Sequence, residues 1–330
     1  MLKLFAALFL VMNPLFGLVA DKISQFQDAS QKEAPLATNE ITQQLPSQED
    51  IFVTSQFLPI YPQRNWDVPE PDLTSKTALV FDTNINKILF QKNGIYEARP
   101  IASLTKLMTA LVTLDNADLN DNFYVTKEAV DTTGEMGSLR ANEQMSVKSL
   151  LEALLIESSN DAAVALAQNI GAKILNEKRD ENNEFSENSI NIFVGLLNKK
   201  AAQMNLKNTT FFDPSGLDPQ NQSSAWDIAE MLQAVLSHPV LRDIMQMQSA
   251  DVLSSDGQNN HYLINTDKLL NLPNVIGGKT GYTEEAGNCM ALAAKTPDNQ
   301  EMLLIVVMGA DDRIAETKTL LEWTKKAYLW

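Results

Sequence analysis

The stretch RPIASLTKLMTALVTL, residues 99–114, places a lysine where helices seldom carry one. Its apolar positions have helical spacing, and Ser103 stands where such a helix would start. Lys106, one turn on, has Leu104, Leu107, Met108, Ala110, Leu111 and Val112 for neighbours. A lysine in that company either snorkels to water or does chemistry. Residues three apart on a helix share a face, with Cβ atoms about 5–6 Å apart, so Ser103 and Lys106 are within reach of each other. A serine hydroxyl is a poor nucleophile until a base removes its proton. The only histidines are His238 and His261, and neither lies in a context that suits the task. A neutral lysine can serve instead. Its ordinary pKa is about 10.4, and bringing it to about 7–8 requires on the order of 4 kcal/mol, within what burial and a second cation impose. The start of a helix also favours negative charge developing on Ser103. Alone, Ser-x-x-Lys is a weak signal, because Ser103 reads equally well as a helix cap.

Two more clusters are of this kind. ESSNDAAVALA, residues 157–167, carries Ser158 and Asn160 where one helix is expected to end and the next to begin. A hydroxyl and a carboxamide placed there can relay a proton and grip a substrate amide. The same spacing recurs at Ser186–Asn188 and Ser189–Asn191, at the end of the charged stretch 176–189, with no packed helix behind it. IGGKTGYT, residues 276–283, holds the only Lys-Thr-Gly triplet, Lys279-Thr280-Gly281, followed by Tyr282. Glycines 277, 278 and 281 let another backbone come close. A strand bearing Lys279 and Thr280 can take a peptide by strand addition and hold its carboxylate.

The rest of the chain bounds these readings. Of 330 residues, 44% are apolar, enough for a sizeable core. The net charge of −16 repels polyanions and sets nucleic acid aside. A single cysteine, Cys289, excludes an intrachain disulfide. MLKLFAALFLVMNPLFGLVADK has a basic start at Lys3 and an apolar run from Leu4 to Ala20, the pattern of an export signal. Leu18 sits where a cut after Ala20 prefers a small residue, so residues 1–20 read as a signal peptide or a retained membrane anchor. The run is short for a full span and is interrupted by Pro14. Residues 21–72, rich in Gln, Ser, Asp and Pro, read as a flexible polar linker, although residues 51–71 are apolar enough to pack on a domain.

Residues 73–330 read as one domain. TALVFDTN and KILFQKN flank Asn84–Asn86 as a hairpin. Helices fill the middle, among them SSAWDIAEMLQAVLSHP, capped by Ser223 or Ser224 and stopped by Pro239. The strands NVIGGKTGYT, CMALAAK and EMLLIVVMGA follow, and RIAETKTLLEWTKKAYLW closes the chain as a helix. A hairpin first and strands last give an α+β domain, one sheet assembled from both ends with helices around it.

Ser-x-x-Lys, Ser-x-Asn and Lys-Thr-Gly occur here in the order known from class A β-lactamases and penicillin-binding proteins. With PIASLTKLMTA, LLIESSNDAAVALA, TTFFDPSGLD, SSAWDIAEM and GGKTGYTEEAGNCMALAAK, the chain from about Thr74 onward resembles the low-molecular-mass penicillin-binding proteins of the D-alanyl-D-alanine carboxypeptidase type. The resemblance implies a DD-peptidase/β-lactamase-like fold, an antiparallel sheet flanked by helices with a mostly helical subdomain. It implies that Ser103 attacks the penultimate D-Ala carbonyl of a peptidoglycan stem peptide, that D-Ala leaves, and that water releases the acyl-enzyme. Lys106 would be the base, Ser158 the proton relay to the leaving amine, and Asn160 a substrate-positioning group. Lys279 would keep Lys106 neutral by repulsion, and Thr280 would bind the terminal carboxylate on the strand that Gly281 and Tyr282 continue. The N–H groups of Ser103 and Tyr282 would form the oxyanion hole. No metal or organic cofactor is implied. β-Lactams would be covalent inhibitors, and the expected location is the periplasm or the outer face of the cytoplasmic membrane, with any membrane association through the N-terminus.

Two positions depart from the common pattern: Tyr282, where several relatives have histidine, and Gln222, where a histidine often precedes the SSAWD segment. A D,D-endopeptidase that cuts cross-links would use the same residues. A class A β-lactamase needs a deacylating glutamate in Glu-x-x-Leu-Asn, and the nearest match, VGLLN at 194–198, has Val194 in its place. A catalytically dead wall-binding module is disfavoured, since every reactive residue is present.

Overall fold

The strands expected at the two ends of the chain meet in one sheet. In the computed structural model, which describes residues 62–132, 139–180, 182–297 and 302–330, its members are β1 Thr77–Asp82, β2 Lys87–Lys92, β3 Val275–Thr283, β4 Gly287–Lys295 and β5 Met302–Ala310. The order is β3-β4-β5-β1-β2, and every neighbouring pair is antiparallel. The central strands are near-continuous apolar runs because both faces of the sheet are covered. Leu79, Phe81, Leu304 and Val306 pack into the helical side. Their alternates Ala78, Val80, Ile305 and Val307 pack with Leu320, Leu321 and Trp323 on the other. Asn86, at φ 52°, closes the β1–β2 hairpin in the left-handed region that asparagine tolerates.

The longer helices are α1 Lys106–Asn116, α2 Asn160–Leu175, α3 Glu187–Gln203, α4 Ala225–Ser237 and α5 Arg313–Ala327. The first four belong to the helical side and α5 covers the opposite face. Ser224 is the α4 cap, accepting a 3.1 Å hydrogen bond from the Asp227 N–H. Pro239 does more than stop α4: it opens a further short helix, Pro239–Met245, where its missing N–H costs nothing. A two-stranded ribbon, Ser249–Leu253 with Asn260–Ile264, was not expected from sequence.

The expected linker boundary shifts. Residues 62–72 are packed on the domain: Gln63–Arg64 pairs with Tyr328–Leu329, and the Arg64 guanidinium lies 5.0 Å from the Trp323 ring centre. The Trp323 indole N–H also donates to the Pro69 carbonyl at 2.8 Å. The domain therefore begins before residue 73. The export segment 1–20 and the linker up to residue 61 lie outside the described residues. Among the described residues no helix is long and apolar enough to cross a membrane.

Glycine marks where helices touch. A Cβ on Gly171 of α2 would lie 1.9 Å from the Ser189 carbonyl oxygen of α3, whereas one on Gly195 of α3 would meet nothing within 4 Å. Gly195→Ala is expected to raise stability by about 1 kcal/mol, and Gly171→Ala to lower it, in urea unfolding. Equal effects from the two would refute this account of the helix crossing.

Candidate active site

Three segments converge at the end of β3. The chain enters α1 through one 3₁₀ turn, Ala102–Thr105, and Ser103 makes no capping bond there, so its hydroxyl is not spent on the backbone. Ala102 is held at φ 47°, a left-handed conformation that costs an alanine about 1–2 kcal/mol. Tertiary contact fixes it: the Ile101 N–H donates to the Asn221 carbonyl at 3.1 Å.

Lys106 is fully buried. Its Nζ lies 2.8 Å from Ser103 Oγ, 2.8 Å from Asn160 Oδ1 and 2.8 Å from the Ser215 carbonyl oxygen. The last two can only accept hydrogen bonds. A neutral amine must therefore give them its two hydrogens, which leaves its lone pair for the Ser103 hydroxyl. Burial lowers the Lys106 pKa to about 7, against the opposing pull of the Asp213 and Asp161 carboxylates.

The helical run 147–175 breaks where the sequence suggested, and the break shapes the site. A π turn at Ala153–Glu157 delivers Ser158 at φ 71°, and α2 then starts at Asn160. Ser159 caps α2, accepting from the Ala162 N–H at 3.1 Å, which leaves Ser158 for the cleft. Lys279 reaches it from β3: its Nζ donates to Ser158 Oγ at 2.6 Å and to the Thr280 carbonyl at 3.0 Å. Lys279 is also fully buried, and its pKa falls well below the usual lysine range, first through burial and then through repulsion from Lys106 and Arg313. Burial is the first cause of both shifts, and repulsion between the two lysines adds to it on Lys279. Interacting buried amines titrate as a pair.

Gly281 lets β3 run beside the nucleophile, since a Cβ there would stand 3.0 Å from the Ser103 nitrogen and 3.0 Å from the Ile101 oxygen. The resulting cleft, of about 400 Å³, is lined by Ser103, Ser158, Asn160, Thr280, Gly281 and Tyr282, with Gly216, Leu217, Thr283 and Arg313. Lys106 and Lys279 lie buried, bonded to its two serines. All eight residues singled out in the sequence are thus brought together, with Tyr282 largely exposed. The competing Ser-x-Asn pairs are elsewhere: Ser186 is tied to Glu177 ahead of α3, and Ser189 is buried in that helix. His261 is buried against Glu143, 3.0 Å away, and Gln222 pairs with Pro100, so neither lines the cleft. Cys289 is buried, and burial pushes its thiol up to about 11, which leaves it inert.

Sequence reasoning missed two contributors. The first is the loop after Phe211. The Asp213 carboxylate accepts from the N–H groups of Ser215, Gly216 and Asp218 at 2.5, 2.7 and 2.5 Å, and from the Ser215 hydroxyl at 2.7 Å. Asn221 accepts from the Phe212 and Asp213 N–H groups and donates to Thr105 Oγ1 at 3.1 Å. Thr109 donates to the Pro214 carbonyl at 2.6 Å. These bonds aim the Ser215 carbonyl at Lys106. The local signal was Asp-Pro-Ser-Gly, a turn sequence with an Asx acceptor. The second is Arg313, the first residue of α5, whose Nη1 donates to the Gly281 carbonyl at 2.8 Å and to Asn288 Oδ1 at 3.2 Å. Nothing local in the sequence marks it.

Comparison with known proteins agrees with this geometry. The family model described as D-alanyl-D-alanine carboxypeptidase matches residues 65–178 and 182–312. A D-alanyl-D-alanine carboxypeptidase of Bacillus subtilis is 31% identical over 264 residues, covering 77% of this chain and 63% of its own, so the chain spans less than two thirds of that relative. A D-alanyl-D-alanine endopeptidase of Pseudomonas aeruginosa is 33% identical over 77% of this chain and 78% of its own. Among solved structures, a D-alanyl-D-alanine carboxypeptidase of Mycobacterium tuberculosis superposes with TM-score 0.66 at 29% identity, over 79% of this chain and 94% of that one. A mutant of Streptomyces K15 DD-transpeptidase shares the fold with TM-score 0.68 at 22% identity, over 77% of this chain and 99% of that one. The chain belongs to the D-alanyl-D-alanine carboxypeptidase family of serine peptidases.

Proposed function

We propose that this protein removes the terminal D-Ala from peptidoglycan stem peptides through an acyl-enzyme on Ser103. The observation that carries the reading is the fully buried Lys106 amine, 2.8 Å from Ser103 Oγ, with its other two partners restricted to accepting.

The Ser103 proton passes to neutral Lys106 as Oγ bonds to the penultimate D-Ala carbonyl carbon. Charge developing on the carbonyl oxygen is met by the N–H groups of Ser103 and Tyr282. When the C–N bond breaks, the leaving amine takes a proton from Ser158; Ser158 regains one from Lys279, 2.6 Å away, and Lys279 takes in turn the proton that Lys106 received from Ser103, so both amines end neutral. Asn160, which lines the cleft and accepts from Lys106 through Oδ1, positions the substrate beside the nucleophile. Thr280 and the Arg313 guanidinium, both lining the cleft, receive the terminal carboxylate. Water then attacks the ester, again with Lys106 as base, and frees Ser103. Among the described residues no carboxylate lines the cleft, which supports slow deacylation of penicillin: the drug should acylate Ser103 and stay. The N-terminal sequence supports action outside the cytoplasm, in the periplasm or at the outer face of the membrane.

The test is incubation with a stem pentapeptide and, separately, with benzylpenicillin. D-Ala release and a penicillin mass adduct on the peptide containing Ser103 are expected; absence of both sinks the reading. Because one relative is named an endopeptidase, cross-linked muropeptides form a further arm, and monomers released faster than D-Ala would shift the assignment to cross-link cleavage. Acylation should also rise with pH through a midpoint near 7 as Lys106 loses its proton. A rate that is flat from about pH 6 to 8 in stopped-flow labelling would contradict Lys106 as base.

A further inference from the structure

We propose that the outer face of the 249–264 ribbon and the groove beside it dock the glycan strand from which the stem peptide hangs. The proposal rests on the carboxypeptidase reading and extends it to the polymer.

The ribbon alternates. Val252, His261 and Leu263 are buried, while Leu253, Tyr262 and Ile264 stand 56%, 61% and 63% exposed on its outer face. Three large apolar side chains on one face of a two-stranded ribbon need a reason on so acidic a protein. At the Ile264 end the face opens into a groove of about 440 Å³ whose lining includes Gln248, Asn271, Leu270 and Lys268. The chain leaving the ribbon is tied directly to the catalytic segments. Thr266, two residues past Ile264, hydrogen-bonds Thr280 through their hydroxyls at 2.9 Å, and its N–H donates to the Ile156 carbonyl, two residues before Ser158, at 3.0 Å. The ribbon is also held in place: Arg140 donates to Asn259, the Ser255 N–H donates to the Gln144 carbonyl, and His261 meets Glu143 in the interior.

The chemistry matches a sugar polymer. Pyranose rings present flat C–H faces that stack on tyrosine and aliphatic side chains. Their hydroxyl and N-acetyl groups pair with carboxamides such as those of Gln248 and Asn271. With one lysine and one aspartate, Lys268 and Asp267, the groove lining is close to neutral. The chain's net charge of −16 disfavours an anionic wall polymer as occupant. Since the stem peptide is covalently joined to glycan, a peptide in the cleft brings sugar alongside this face.

The experiment compares kcat/KM for a free stem pentapeptide with that for uncross-linked glycan chains bearing the same pentapeptide. Wild type should prefer the glycan-linked substrate about five- to tenfold, and Tyr262→Ala and Gln248→Ala/Asn271→Ala should each lose most of that preference while keeping free-peptide activity. Independently of any variant, wild type should bind stem-free glycan chains in co-sedimentation. No hydrolysis of the free pentapeptide by wild type would overturn the carboxypeptidase reading. Hydrolysis without any preference for glycan, or no glycan binding, would overturn the docking surface alone. So would a dimer that Tyr262→Ala dissolves without changing the substrate preference, since a second copy would then be the occupant.

Discussion

Lys106→Met should fold and yet lose penicillin acylation by about 10²–10⁴-fold, the range of a general base lost from a positioned nucleophile. Methionine nearly fills the volume of the lysine stem but offers no lone pair to Ser103. The stability change is the sharper test, because its sign depends on pH. The unfolded chain holds the Lys106 proton up to about pH 10.5, whereas the folded one releases it near 7. Between those values the unfolded state binds more protons, so folding stability rises with pH. The penalty for burying the charge is complete below pH 7, where it amounts to about 5 kcal/mol, and it is gone above pH 10.5. Methionine escapes this penalty but leaves Asn160 Oδ1 and the Ser215 carbonyl without their donor, at about 1–3 kcal/mol each. The wild type should therefore gain on Lys106→Met as pH rises from 6 to 9 in urea unfolding. Parallel stability–pH curves for the two proteins would show that the amine is not sheltered as described.

Gly216→Ala should damage both fold and activity, although residue 216 does no chemistry. Its φ is 93°, and a Cβ there would stand 2.0 Å from the Ala102 carbonyl oxygen and 2.3 Å from the carbonyl carbon. Both are backbone atoms of the strained peptide that leads into Ser103, so relief must move the nucleophile or the Ser215 carbonyl that holds Lys106. A displacement of about 1 Å at such a site costs on the order of 10²-fold in rate, and the strain about 3 kcal/mol in stability. Gly257→Ala is the control: its φ is also positive, at 72°, but a Cβ there meets nothing within 4 Å. It should cost about 1–2 kcal/mol and leave acylation intact. Labelling by fluorescent penicillin, alongside the urea midpoint, separates the two. Normal labelling of Gly216→Ala would mean that the 213–221 loop does not position the site.

The sheet strands, the main helices and the three motif clusters were legible in the sequence. In each case the information is local: helical or continuous apolar patterning, and short polar motifs whose members lie within four residues. It also placed the helix break at Ser158, though not which serine would cap α2. What those motifs can do depends on the folded environment. The chemistry of Lys106 depends on burial by segments up to 109 residues away, on the Ser215 carbonyl aimed by Asp213, and on Asn160 across the cleft. Arg313, the ribbon at 249–264 and the packing of residues 62–72 were likewise hidden, because each is stabilised by distant contacts rather than by its own propensity. Protonation state and strain are properties of an environment, and residues distant in sequence compose that environment only on folding.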